Sequence, residues 1–289
     1  MDRDVALIVN PTAGGGRALK RLPRVEEALR AHAIGFHVER TRSLDHAREL
    51  ARAAAQQGEV AAAMGGDGVV GAVAGALHGT DGRLALIPGG RGNDFARALE
   101  VPHDPAEAVA LIARGRERTI DLGEAGGTAF VGIASCGFDS DANRIANATR
   151  VPGDLAYVYG ALRALASWKP VGFELELDGV PHAHVGFNVA VANGRYYGGG
   201  MMIAPDAQLD DGRFDVIAVA GVGRGRFLMQ LPKVFKGTHV ANPEVTVQRA
   251  REVKISADRP FQLYADGDPI ADLPAIVRTL PNAVRVLVP

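Results

Sequence analysis

The sequence predicts a three-layer α/β domain with a mostly parallel sheet, followed by a second domain of mainly antiparallel β structure. Three observations predict it. Up to about residue 123, short apolar runs alternate with stretches of helical periodicity. Beyond Gly123 the apolar runs are short, often alternating, and separated by Gly and Asp turns, as in antiparallel sheet. Two glycine-rich turns, GGDG at Gly65–Gly68 and GRGND within Gly90–Asp94, each stand between an apolar run and a helix-like stretch. The expected units are residues 1–123 and 124–289, with the return of the last strand to the first unit left open.

Val5–Val9 is an apolar run of buried-strand length, ended by Asn10-Pro11 and the turn NPTAGGGR. Leu19, Leu22, Val25 and Leu29 then recur at near-helical spacing. Phe36–Arg40 reads as a second strand, and Ser43 as the N-cap of a helix striped by Leu44, Ala47, Leu50, Ala51 and Ala54. Val60–Met64 is a third strand, with GGDG at its exit and Val70, Val73, Ala74 and Leu77 on one face of the next helix. Leu84–Ile87 is a fourth strand. Asp104-Pro105-Ala106-Glu107 has the form of a capping box with proline at the first helical position. Thr119–Leu122 is a fifth strand.

In the second half, strands are expected at Phe130–Ser135, Phe173–Leu177, His184–Val191, Phe214–Val219, Val245–Gln248, Glu252–Ser256, Phe261–Ala265 and Val284–Val288. Helices are expected at Asp154–Trp168 and at Arg224–Lys236, the second containing or ending at Pro232.

The 289 residues carry a net charge of −1, so no strong basic field draws the molecule to nucleic acid. The single Cys136 cannot form an internal disulfide, which suits a reducing compartment. The opening MDRDVALIVN lacks a signal-peptide pattern, and no apolar run approaches a membrane span. These features point to a cytoplasmic protein that meets lipid only from the water side.

Glycine-rich turns at helix N-termini bind phosphates, because bare N–H groups and the helix dipole both favour negative charge. An Asp in such a turn can hold Mg²⁺ beside those phosphates. GGDG, GRGND and NPTAGGGR therefore suggest one nucleotide crevice. Asp94 reads either as an N-cap or as a carboxylate facing Mg²⁺ opposite Asp67. Gly14-x-Gly16 with Glu39 imitates a dinucleotide fingerprint, but Leu19 occupies the third glycine position and the two later turns go unexplained. No GxxxxGK[ST] motif is present.

The ordered motifs resemble the diacylglycerol kinase catalytic-domain family, in its bacterial lipid kinase branch related to sphingosine kinases. Val9–Arg17, Thr41 with His46–Ala51, Gly65–Gly68, Gly90–Arg97 with Val101-Pro102, and Ile120–Gly123 each fall in the family's order. So do Cys136–Asp139, Asp210–Gly212, Phe235–His239 and Asp266–Asp268. The resemblance implies a Rossmann-like N-terminal domain, a C-terminal β-sandwich, and a cleft where ATP with Mg²⁺ phosphorylates the hydroxyl of diacylglycerol or a related lipid alcohol. The expected nucleotide-binding residues are Asn10, Thr41, Gly65, Gly66, Asp67, Gly68, Val69, Gly90, Arg91, Gly92, Asn93 and Asp94. By position Asp268 falls on the family's proton acceptor. Asp67 is the second expected catalytic residue, organising Mg²⁺ together with Asp94, directly or through water. Asp211, with backbone carbonyls of Gln208 and Arg213, falls on a structural Mg²⁺ site.

Four positions depart from the family pattern: Val69 for Thr, Ala72 for Glu, Arg91 for Thr and Asp268 for Glu. They leave a non-catalytic lipid- or nucleotide-binding relative as the alternative. A kinase of a soluble acceptor such as NAD shares GGDG. The expected partner is a membrane lipid at the bilayer surface, with peripheral attachment and a homodimer both left open. The two second-half helices carry Tyr157, Leu162, Leu165 and Trp168, and Phe227, Leu228, Leu231 and Phe235. Core packing is the preferred reading for both, and an acyl groove or bilayer contact the alternative. His46 and His239 are expected to be structural, and Cys136 buried and inert.

Overall fold

The computed structural model describes residues 4–149, 160, 163–165 and 168–289. In chain order the first half forms β1 (Val5–Val9), α1 (Ala13–Ala31), β2 (Phe36–Arg40), α2 (Leu44–Gln57), β3 (Val60–Gly65), α3 (Asp67–Leu77), β4 (Arg83–Pro88), α4 (Asp94–Ala98), α5 (Pro105–Arg114) and β5 (Arg116–Ala125). There follow β6 (Thr128–Phe130), β7 (Ile133–Gly137), α6 (Phe138–Ala148), β8 (Val171–Leu177), β9 (Val180–Ala192), β10 (Tyr196–Tyr197), β11 (Met201–Met202), β12 (Phe214–Ala220) and α7 (Arg224–Phe235). The chain then makes β13 (Val245–Ala250), β14 (Glu252–Ala257), β15 (Gln262–Ala265), β16 (Asp268–Asp272) and β17 (Ala275–Val288).

The first four strands lie side by side in the order β4-β3-β1-β2, all parallel. Helices cover both faces, so β1 is buried at every residue and has no polar side. Ile8, Ala61, Ala63, Leu84 and Leu86 meet α2 and α3 on one face. Leu7, Val9, Ala62, Met64 and Ile87 meet α1 and α5 on the other. Ser43 caps α2 by accepting from the His46 N–H at 3.1 Å. Asp104 caps α5 by accepting from the Ala106 and Glu107 N–H groups. Such a cap stabilises by about 1 kcal/mol.

The fifth strand does not extend the parallel run. β17 pairs in parallel with β4 and antiparallel with β5, so it stands between them. Its other end pairs with β14. The sequence reading placed this strand only at Val284–Val288, after Pro281-Asn282. The structure absorbs that pair as an irregularity between Leu280 and Val284. Asn282 takes a positive φ of 51°, and its N–H donates to Asp121 at 2.7 Å. The run expected at Phe130–Ser135 likewise splits into β6 and β7 around Val131-Gly132.

The second half is an antiparallel sandwich whose core holds Phe173, Phe187, Phe214, Val253 and Leu263. Phe138, Trp168, Phe187 and Phe227 form an aromatic cluster, with Phe187 stacked on Phe227 at 4.5 Å. Leu165 and Trp168 are buried, as core packing requires. Tyr157 and Leu162 lie outside the described residues. On α7 the core-packing expectation fails: Phe227 is half-buried, but Leu228, Leu231 and Phe235 are exposed. Among the described residues, no helix is long and apolar enough to cross a membrane.

Candidate functional site

The C-terminal ends of β1, β3 and β4 bring the three glycine turns together. A Cβ on Gly14, which has a φ of 61°, would stand 2.7 Å from the Gly89 carbonyl oxygen. A Cβ on Gly90 would overlap the Gly66 Cα. Glycine at these points is a condition of close approach between turns. Gly89 and Gly90 both donate to the Gly65 carbonyl at 2.9 Å. Asn93 holds the second turn closed: its Oδ1 accepts from the Gly90 N–H at 2.8 Å, and its Nδ2 donates to the Gly90 carbonyl. Arg17 reaches the same carbonyl from the first turn at 3.2 Å.

Asn10 continues from β1 and turns its side-chain oxygen toward the Thr12 N–H and hydroxyl. Thr41 is buried beside it and donates its N–H to the Val9 carbonyl. Gly66 is the N-cap of α3 and supplies no side-chain cap, so the first N–H groups of that helix look toward the crevice. Val69 is buried, and a Cβ on Gly65 would collide with it. Ala72 is also buried, within the core beneath α3. Arg91 is exposed on the second turn.

The two aspartates of these turns have separate tasks. Asp67 accepts from the Asp94 N–H at 3.2 Å and from the Phe95 N–H at 3.0 Å. It therefore caps α4 from a distance, while the N-cap position itself is Asn93. Asp94 is not the cap. Its Oδ2 accepts from the Gly199 N–H at 2.7 Å, and its Oδ1 is buried without a hydrogen-bond partner. Burial pushes its carboxyl above the ordinary value, and Gly199 pulls it partly back. The Gly199 contact comes from the β10–β11 hairpin, whose tip Gly198-Gly199-Gly200 has positive φ throughout. Sequence reasoning missed this hairpin; three consecutive glycines after Tyr196-Tyr197 were its signal.

The fourth component comes from the other half of the chain. The β15–β16 turn carries Asp266, at φ 52°, and Gly267, at φ 97°. Asp266 accepts from the Val131 N–H at 2.9 Å and the Gly132 N–H at 3.0 Å. Burial raises its carboxyl to about 7 against the pull of those amides, and Asp67 adds to the rise. Asp268 is exposed to solvent yet crowded by protein atoms; that crowding raises its carboxyl, and Arg48 of α2 draws it back. Both carboxylates stand over α3. A Cβ on Gly71 would lie 3.2 Å from Asp266 Oδ2, and one on Gly68 would lie 3.0 Å from Asp268 Oδ2.

The site is thus a crevice of glycine turns whose far wall is a pair of carboxylates. It can hold phosphates on backbone amides and present a carboxylate to a hydroxyl nearby. Residues 4–125 match the diacylglycerol kinase catalytic domain, and residues 132–288 match the YegS C-terminal NAD kinase beta sandwich-like domain. This chain belongs to the diacylglycerol kinase family. It is 36% identical to a diacylglycerol kinase of Mycobacterium tuberculosis, over 99% of this chain and 95% of that one. It is 33% identical to a probable lipid kinase YegS-like of Stenotrophomonas maltophilia, over 85% and 84%. The crystal structure of a diacylglycerol kinase from Bacillus anthracis shares the fold, with a TM-score of 0.76 over 100% of this chain and 97% of that one at 23% identity. The chain is accordingly a lipid kinase, with an α/β first half and a sandwich-like second half.

The Mg²⁺ expected with ATP and the expected structural Mg²⁺ can be set against these residues. Among the described residues, no three His, Cys, Asp or Glu side chains converge to hold a metal ion by themselves. A Mg²⁺ that arrives with a triphosphate needs only one or two carboxylates. Asp94 offers one carboxylate beside the turns; its Oδ1 is buried without a hydrogen bond, with the Arg97 Nε 3.8 Å away. The structural site at Gln208, Asp211 and Arg213 fits poorly. Asp211 accepts from the Arg213 N–H at 3.0 Å and pairs with Arg249, which also binds Asp215 at 3.0 Å. A guanidinium already neutralises the carboxylate a metal would need. A cavity of about 400 Å³ opens beside Gln208 and Asp210, walled by Arg116, Arg118 and Arg195, and none of the glycine-turn residues lines it.

The remaining expectations concern inert groups. Cys136 is fully buried, and its thiol is pushed well above its ordinary value by burial, with Asp139 adding. His46 sits in the first turn of α2, where its Nδ1 faces the Arg42 N–H. His239 is buried, and burial holds its imidazole below the ordinary value.

Proposed function

We propose that this lipid kinase transfers the γ-phosphoryl group of ATP, accompanied by Mg²⁺, to the hydroxyl of diacylglycerol or a related lipid alcohol. One observation carries the reading: Asp268, from the second half, stands against Gly68 of the GGDG turn, from the first. A nucleotide on the glycine turns then has a carboxylate within reach of its terminal phosphate. Phosphoryl transfer needs positioning and charge stabilisation more than covalent help from the protein. The amides of Gly66, Asp67 and Gly68 and of the Gly90–Asp94 turn supply the first, with Arg17, Arg91 and the α3 N-terminus. Asp94 would help hold the Mg²⁺ that arrives with ATP, and that ion would supply charge neutralisation at the phosphates. Asp268 takes the hydroxyl proton as the oxygen attacks phosphorus, and ADP leaves. Asp67 keeps the second turn in register by capping α4.

Labelled ATP with diacylglycerol in mixed micelles tests this. Incorporation of phosphate by the wild type, and its loss in Asp268→Asn with ATP binding retained, is the expected result. Undiminished turnover in Asp268→Asn removes Asp268 from the role. A wild type active only on soluble acceptors overturns the substrate class.

A further inference from the structure

The helix α7 has two unlike faces. Phe227, Gln230 and Val234 are half-buried and recur at positions three and four apart, so they mark the face turned to the protein. Phe227 anchors that face in the aromatic cluster, 5.0 Å from Phe138 and 4.5 Å from Phe187. The sides turned away from the protein should be polar on a helix at the surface of a globular protein. Here Leu228, Leu231 and Phe235, about 100° round the helix from the buried stripe, are exposed at 41%, 38% and 54%, and Met229, further round, at 72%. The other large exposed apolar residues, Val180, Val185, Val247 and Ile276, lie on strands.

The charge on this helix is of one sign. Arg224, Arg226, Lys233 and Lys236 fall within or directly after it, and it contains no Asp or Glu. Arg226 pairs with Glu244, and Lys233 donates to Asn242, so two of the four are tied to the helix's flank. The chain as a whole carries −1, so this cationic surface is local. Round the helix, Met229 and Lys236 follow the stripe and Lys233 and Arg226 come next, so the exposed apolar arc has its basic residues along one border, with Arg224 at its N-terminal end. An apolar arc bordered by Arg and Lys is the pattern of a helix lying in a bilayer interface, with anionic headgroups attracted to the border.

The helix also adjoins the site. Gly237, just past its end, packs on Met202 of β11; a Cβ there would lie 2.7 Å from the Met202 sulfur. That hairpin ends in Gly199, which holds Asp94.

We infer that α7 is the bilayer-docking element of this protein, seating Leu228, Met229, Leu231 and Phe235 in the interface of an anionic phospholipid membrane. The inference rests on the lipid substrate proposed above, but its test does not need turnover. The full chain, without ATP, is sedimented with phosphatidylcholine vesicles and with the same vesicles containing about 30% phosphatidylglycerol. Wild type should bind the anionic vesicles at least ~10-fold more tightly than the neutral ones. Met229→Asp/Phe235→Asp and, separately, Lys233→Glu/Lys236→Glu should each lose at least ~10-fold of that binding. Thermal unfolding checks that both remain folded, which their exposure favours. Wild-type binding indifferent to the anionic lipid, or variants that bind as wild type, overturns the inference. So does a dimer in sedimentation velocity that Met229→Asp/Phe235→Asp dissolves, since a second copy then covers the stripe. Vesicle binding without phosphorylation of any lipid leaves the docking helix standing and removes the kinase substrate instead.

Discussion

Asp268 and Gly68 meet across the two halves of the chain, with the Asp268 Oδ2 3.0 Å from the place a Gly68 Cβ would take. The carboxylate is the far end of a side chain, so it can yield to an added methyl without unfolding the protein. It cannot yield without leaving its place. Gly68→Ala should therefore lower kcat at least ~10-fold, since small misplacements of a reacting group are costly. Melting temperature and ATP affinity should change little. Steady-state kinetics and a thermal melt check this together.

Asp268 itself offers a graded test. Asparagine keeps its shape and cannot take a proton, so Asp268→Asn should cost about 10²–10⁴ in kcat. Glutamate restores the residue common in the family and adds one C–C bond, roughly 1.5 Å. Asp268→Glu should keep measurable turnover, far above that of Asp268→Asn. Equal loss in both would mean that the position, and not the base, is what the site requires.

Asp67 is a cap before it is anything else. Asp67→Ala strands the Asp94 and Phe95 amides, which now have its two oxygens. The expected cost is about 1–2 kcal/mol of stability. The second turn should loosen with it. ATP affinity should fall alongside the melting temperature, as measured by calorimetry. A variant with wild-type stability would show that the turn holds without the cap.

Asp266 makes stability depend on pH. Its carboxyl stays protonated up to about 7 in the folded chain. In the unfolded chain it ionises near ~3.9. Between those values the folded state binds the extra proton, so its contribution is full below ~3.9 and is lost as pH rises through about 7. His184 and His239, held low by burial, act in the opposite sense. The comparison that isolates Asp266 is Asp266→Asn: its melting temperature should gain on wild type as pH goes from 5 to 8. A constant difference across that range would contradict the assignment.

Arg249 should make a structural metal dispensable. Chelation with EDTA in the absence of nucleotide should leave the melting temperature of the wild type unchanged. Arg249→Met leaves the buried Asp215 without its solvent-facing partner and should destabilise by about 1–3 kcal/mol. A melting temperature that falls with EDTA would return the metal to Asp211.

Much of the frame could be read from residues alone. The parallel strands β1, β3 and β4 were visible as continuous apolar runs, because helices bury both of their faces. The glycine turns were visible because close approach of backbones leaves no other choice at Gly14 and Gly90. What local pattern could not show was pairing over long distance. β17 hides a bulge behind Pro281-Asn282, and nothing near Leu84 indicates that Val286 will lie beside it. The two faces of α7 were equally hidden: periodicity marks a stripe but not which side of it meets the protein. The role of Asp67 depended on Phe95 and Asp94, nearly thirty residues on.

The placement of β17 between β4 and β5 has a consequence for how the chain is made. As residues emerge from the ribosome, β1 to β4 can assemble with their helices, but the flank of β4 stays open. Its neighbour is synthesised roughly two hundred residues later, after the whole sandwich. The nucleotide half is therefore finished last, by a strand that is already anchored on β14 of the other half. Such high sequence separation slows folding and exposes an unpaired edge in the meantime. The same strand guarantees that a chain interrupted in the sandwich never completes the sheet beneath its glycine turns.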